Sequence, residues 1–256
     1  MHLLDIRLHL FGIVVALSVV LVIAQQTCRF LFRRIRAQKR KQALMAAAQA
    51  IGFTFQGDDW NHQPEEHQLG TALFSEGRSR RFNNIMIGTA AGLKTSIFDY
   101  SYITTGSQNT PKHTQTVAAF SGNLCLPLFV LAPKGFADRI VDAVSHQNVD
   151  FESHPDFAGR YVLHATPPVL FPHAPTPQDE DNKIKIRELF SPALLTFLQA
   201  LPPQTFEWNI EGCGATLILY RAGRITLPDG LRSFLDETGS IARTFFSLCG
   251  LKKPTA

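Results

Sequence analysis

Few of the residues able to do chemistry in this chain stand together. Phe98-Asp99-Tyr100-Ser101-Tyr102 is an aromatic strand pattern. In an extended strand alternate side chains share a face, so Phe98, Tyr100 and Tyr102 fall on one side and Asp99 and Ser101 on the other. Tyr hydroxyls turned outward would make a binding face, and Asp99, Tyr100 and Tyr102 are its candidate residues; Phe98 reads as core. His154 is the fourth candidate, because Asp150, Glu152 and Asp156 surround it and acidic neighbours raise or orient an imidazole. The same stretch also reads as a turn built on Asp and Pro, and that reading is preferred. Nine His invite a metal site, and His62 and His67 with Glu65 and Glu66 are the closest set. Their spacing puts the two imidazoles on different sides of a helix, and neither HExxH nor a paired CxxC occurs, so no metal and no cofactor is expected.

Two glycine patterns resemble phosphate or dinucleotide loops. Gly88 to Thr95 has one residue too few and runs into a strand, whereas a phosphate cradle needs a helix N-terminus behind it. Gly212-Cys213-Gly214 also runs into a strand and reads as a tight hairpin turn. There is no Gly-x-Ser-x-Gly, and no Cys lies in a catalytic setting, so no catalytic residue is assigned.

The elements that must position these residues follow from periodicity. A short strand is expected at Phe53 to Gln56, and a β-hairpin at 84–88 and 94–102 about Ala91-Gly92. Further strands are expected at 114–120, 126–131, 161–166, 205–210 and 215–220. Helices are expected at 136–145, at 184–201 with Pro192 breaking or restarting it, and at 230–248. Pro167, Pro168, Pro172, Pro175 and Pro177, followed by Asp179 to Asp181, mark a surface loop or sub-lobe seam at 167–182. Strands interspersed with helices predict an α+β domain with a mainly antiparallel sheet and flanking helices.

Charge and hydropathy locate that domain. The chain has 256 residues, 45% hydrophobic and 18% charged, which excludes a disordered chain. Its formal net charge is +4 and its pI about 9.0. The basic excess is confined to Arg29, Arg33, Arg34, Arg36, Lys39, Arg40 and Lys41, and residues 42–256 carry a net −3. Nucleic-acid binding would need basic residues interleaved with aromatics on the folded body, so it is not expected. From Leu8 to Cys28 there is no Asp, Glu, Lys or Arg. A helix of that length spans roughly 31 Å, the thickness of bilayer hydrocarbon. A cleaved signal peptide carries its positive charge before the apolar run, and here the seven charges follow it, so an uncleaved transmembrane helix is the reading.

Positive residues stay in the cytoplasm, which predicts an outward N-terminus and a cytoplasmic C-terminal domain. The expected organisation is a head and transmembrane helix at 1–28, a basic juxtamembrane helix at 29–51 and the α+β domain at 52–256. The collar either contacts anionic headgroups or only sets topology, and the second is favoured. Cys28 lies where acylation could occur, though an idle thiol is preferred.

The anchor and collar, with Phe98 to Tyr102, Gln115-Thr116-Val117, Leu126-Pro127-Leu128-Phe129, Asp150-Phe151, His154-Pro155-Asp156-Phe157 and Glu188-Leu189-Phe190, resemble a bacterial family of single-pass membrane proteins of uncharacterised activity with one cytoplasmic α+β domain. The resemblance implies that architecture and a bacterial inner-membrane address, and no catalytic residues. The leading functional expectation is a membrane-tethered protein-interaction or scaffold domain, more a binder than an enzyme, with the bilayer and another protein as partners. A hydrolase-like enzyme using dispersed His and Asp or Glu is the alternative, and an anionic-lipid sensor acting through the collar is a third.

Overall fold

A computed structural model of the chain describes residues 2–58, 71–104, 110–134, 149, 154–165, 177–201 and 208–250; side chains of 2–19, 33, 124, 177, 178, 249 and 250 lie outside the description. The chain divides into two compact units, Met1–Met45 and Ala46–Ala256.

The first unit lies within helix α1, which runs unbroken from His2 to Ala50. No Pro or Gly falls between Ile13 and Ile51, and Gly52 follows with φ +78°, the left-handed conformation that ends helices. Among the described residues no helix is long and apolar enough to cross a membrane. Much of the expected span, 8–28, falls on residues 2–19, whose side chains lie outside the description.

The second unit is α+β. Its strands are β1 (Thr54–Gly57), β2 (Arg78–Ala90), β3 (Leu93–Ile103), β4 (Lys112–Pro133), β5 (Tyr161–His164) and β6 (Trp208–Arg221). All pair antiparallel, in the order β1-β2-β3-β4-β5, with β6 on β4. The helices are α2 (Ala72–Ser75), α3 (Pro155–Arg160), α4 (Pro177–Leu189), α5 (Pro192–Ala200) and α6 (Leu231–Gly250). Ala91 and Gly92 turn the expected hairpin with φ of +55° and +79°, the positive pair that matches strand twist.

Several expectations are corrected. The strands expected at 114–120 and 126–131 are one strand, β4, because both halves pair with β6 and a bulge between Ser121 and Leu126 absorbs the intervening residues. The segments 205–210 and 215–220 likewise form a single β6 over its described length. Gly212-Cys213-Gly214 is therefore not a hairpin turn but the middle of a strand, opposite the stretch of β4 that carries the extra residues. Gly214 takes φ +56° there, and a Cβ on Gly212 would lie 2.2 Å from the Phe129 ring. Residues 177–182, expected to be loop, open α4, where Asp179 and Glu180 complement the helix dipole. His154-Pro155-Asp156 starts a helix rather than a turn. Pro192 restarts the chain as α5, with Ser191 at the N-cap. The helix expected at 136–145 and most of the seam at 167–182 lie outside the described residues.

One sheet face carries the larger core. Ile97, Ala118, Phe120, Phe129, Leu131, Ile210, Leu217 and Leu219 meet residues of α3, α4, α5 and α6, among them Phe157, Ile186, Leu194, Leu198 and Phe245. Phe129 meets Phe190 edge-on at 5.2 Å and stacks on Phe245 at 6.0 Å. Each such side chain buried contributes roughly 1.5–3 kcal/mol. The opposite face carries a smaller, more aromatic core closed by α2.

Candidate functional site

Alternation along β3 sends Phe98, Tyr100 and Tyr102 to the second face and Asp99 to the first, as expected, but the tyrosines point inward. Tyr100 is 0% and Tyr102 4% exposed, so an outward-facing tyrosine surface is corrected. Burying an aromatic ring outweighs solvating one hydroxyl, and α2 covers the rings. Phe74 from α2 meets Tyr100 edge-on at 5.1 Å, and Phe82 lies 5.0 Å from Tyr100. Tyr102 stacks on His113 at 4.8 Å and donates to Glu76 Oε2 at 2.9 Å. Burial pushes the Tyr100 and Tyr102 phenols well above the usual range.

A carboxyl lies under the same cover. Glu211, from β6, is 0% exposed. The backbone N–H of Leu73 in α2 donates to both its oxygens at 3.2 Å, and the Tyr220 hydroxyl donates to Oε1 at 2.8 Å. Desolvation raises its pKa to about 7; Tyr220, the Leu73 N–H and the Thr71 hydroxyl oppose the rise, and the Glu76 charge adds to it. Several buried polar atoms of this face find no hydrogen-bond partner among the described residues: Tyr100 Oη, Asn209 Oδ1 and His164 Nε2. His164 is opposite Val130 on β5, and Glu211 is opposite Val130 on β6, so an imidazole and a carboxyl flank one valine. Burial lowers the His164 pKa, which keeps the ring neutral. Chemically, this cluster can take up or release one proton near neutral pH at a group sealed from solvent.

Glu211 is the residue that motif reasoning missed. Its signal is faint: it is the only charged residue from Trp208 to Tyr220, in a run of strand-forming residues.

Asp99, 8% exposed, works on the other face. It accepts from Thr116 Oγ1 and from Asn84 Nδ2, each at 2.8 Å, and Thr116 Oγ1 accepts from the Thr226 N–H at 2.8 Å. Thr116 borders a hollow of about 260 Å³ shared with Arg221, Arg224, Thr226, Ser233 and Phe234. The Arg221 guanidinium lies 4.1 Å over the Trp208 ring and reaches Glu237 Oε2 at 2.6 Å. Asp99 thus braces the wall of a recess instead of lining a tyrosine face. His154 stands apart, at the N-cap of α3. His62 and His67 lie outside the described residues, and among those described no group of three His, Cys, Asp or Glu is placed to hold a metal.

The collar lies on α1. Arg29, Arg34, Arg36 and Lys39 are exposed, Arg40 and Lys41 are half-buried, and the Arg33 side chain is outside the description. Before it, Val20, Leu21, Val22 and Ile23 are each more than half exposed, as are Phe30 and Phe32. The Arg34 guanidinium lies 5.5 Å over the Phe30 ring.

No family model matches the chain, and no curated protein matches it. The family resemblance therefore rests on its motifs alone. Among solved structures, the chain is similar to the crystal structure of the mycobacterial trehalose monomycolate transport factor A, TtfA, with a TM-score of 0.50 and 11% identity. The match covers 82% of this chain and 95% of that one. At that identity the likeness is one of fold.

Proposed function

We propose that this chain is a membrane-tethered accessory protein, with residues 8–28 of α1 crossing a bacterial inner membrane, the N-terminus outside and the α+β domain in the cytoplasm binding another protein. The observation that carries the reading is the continuity of α1, which joins the uncharged run, the basic collar and the start of the domain in one helix. Four consecutive exposed apolar residues, Val20 to Ile23, cover every side of a helix, and a helix apolar all round calls for an apolar surrounding. Phe30 and Phe32 beside arginines suit the headgroup boundary, where apolar bodies and charged heads meet.

A binding role is favoured over a catalytic one by the place of Glu211. Among the described residues, the carboxyl whose acidity burial shifts is sealed beneath α2 and occupied in holding it, not open to a substrate. The fold shared with a protein named as a transport factor accords with an accessory role.

Fractionation of cells expressing the full chain tests the tether. The protein should sediment with membranes, resist carbonate and high salt, and leave only in detergent, while removal of residues 1–28 should release it. Release of the intact chain by carbonate would overturn the reading. For the binding half, cross-linking in membranes followed by pull-down should recover one stoichiometric protein, and recovery of none across several growth conditions would count against it.

A further inference from the structure

We propose that Glu211 is a proton-operated latch on α2: protonated, it holds the short helix over the aromatic face of the sheet, and ionised, it lets the helix lift and uncovers Phe74, Phe82 and Tyr100. The inference concerns the domain alone and stands whether or not α1 crosses a bilayer.

The geometry is that of a clasp. Helix α2 has four residues, and Thr71 at its N-cap makes no side-chain capping bond. A single turn of helix has little stability of its own. What holds it is Leu73 and Phe74 packed on the sheet, the Leu73 N–H on Glu211, and Arg80, whose guanidinium donates to the carbonyls of Ser75 at 2.5 Å and Gly77 at 3.2 Å. Glu211 is the part of this clasp whose charge changes near neutral pH.

A neutral carboxyl suits the site. It keeps the bonds from Leu73 and Tyr220 and gains an O–H to donate, which the Thr71 hydroxyl oxygen beside it can accept. The ionised carboxylate faces other groups that offer no compensating charge. On β6 these are Tyr220 and Cys213; on β3, Tyr100 and Tyr102; after α2, Glu76, whose own charge opposes ionisation; on β5, the buried His164 beyond Val130. Arg80 on β2 is the nearby cation, and its donors are directed at backbone carbonyls. An unpaired charge in a dry site is costly, and lifting α2 admits water to it.

Hydrogen exchange on the full chain in detergent micelles tests the latch, with each rate corrected for intrinsic exchange. A carboxyl moving from about 7 when closed to 4.5 when open predicts roughly tenfold more opening at pH 8 than at pH 6 in the peptide covering 71–77. That peptide should exchange ahead of those from β4 and β6. Glu211→Gln, a neutral amide with the same reach, should hold opening level across that range. Should it fold poorly, Tyr220→Phe keeps the ring and removes one donor to the carboxylate, and should move the pH at which opening levels off upward. The latch is overturned if the wild-type peptide shows no pH dependence, if Glu211→Gln keeps the same rise, if Tyr220→Phe leaves the levelling pH unmoved, or if 71–77 exchanges only in step with β4 and β6.

Discussion

The side-chain amide of Asn182 makes with Leu128 the two hydrogen bonds that a neighbouring strand would make. Its Oδ1 accepts from the Leu128 N–H at 3.1 Å, and its Nδ2 donates to the Leu128 carbonyl at 2.8 Å and to the carbonyl of Ala165. The bonds fall where β4 has lost β3, whose pairing ends at Ser121, and has not yet met β5, whose pairing begins at Val130. A residue of α4 thus fills a gap in the ladder.

Asn182→Ala should destabilise the fold by about 2–3 kcal/mol, because it strands a half-buried N–H and carbonyl with no strand to replace the amide. Asn182→Asp should not restore stability, since it keeps one acceptor, loses the donor and adds a charge. Denaturant unfolding of the full chain in detergent measures both, and an Ala variant within 0.5 kcal/mol of wild type, an order-of-magnitude margin for surface changes, would remove the bridging role.

In β6, opposite the bulged stretch of β4, two glycines carry different constraints. Gly212→Ala places a methyl against the Phe129 ring and should cost about 3 kcal/mol, as overpacking does. Gly214→Ala meets nothing within 4 Å and pays only for φ +56°, about 1 kcal/mol. The ordering of the two melting temperatures checks the assignment, and equal losses would contradict it.

The raised acidity constant of Glu211 fixes the sign of a pH effect on global stability. Because the folded state holds this proton more tightly than the unfolded one, the stabilisation is full below pH 4.5 and is lost as pH rises through about 7. At pH 8 Glu211→Gln should be more stable than wild type, by up to roughly 3 kcal/mol, and the gap should close in acid. Unfolding curves at pH 5 and pH 8 compare the two, and a variant weaker than wild type at both would reverse the sign.

On the tether reading, replacing all seven collar residues with Gln should unfix the orientation of the chain, because the charge bias that retains the domain inside is gone. Protease access to the domain in sealed, right-side-out vesicles reports the change. Full protection of the variant would show that the collar does not set topology.

What the sequence determines here is local. The Ala91-Gly92 turn, the restart at Pro192 and the apolar stripe of α6 depend on backbone preference and on side-chain period within one element, and each appears close to where periodicity puts it. The alternation that separates Asp99 from Tyr100 and Tyr102 is local too, although which of the two faces is roofed by α2 is not. Only the tertiary structure decides that Gly212 and Gly214 continue a strand instead of ending it, because the distinction rests on Phe129 and on pairing with β4 some eighty residues earlier. It decides as well that Glu211 lies in a dry site, since a carboxyl's acidity is set by what covers it, and Thr71, Leu73 and Tyr100 are over a hundred residues away in the chain.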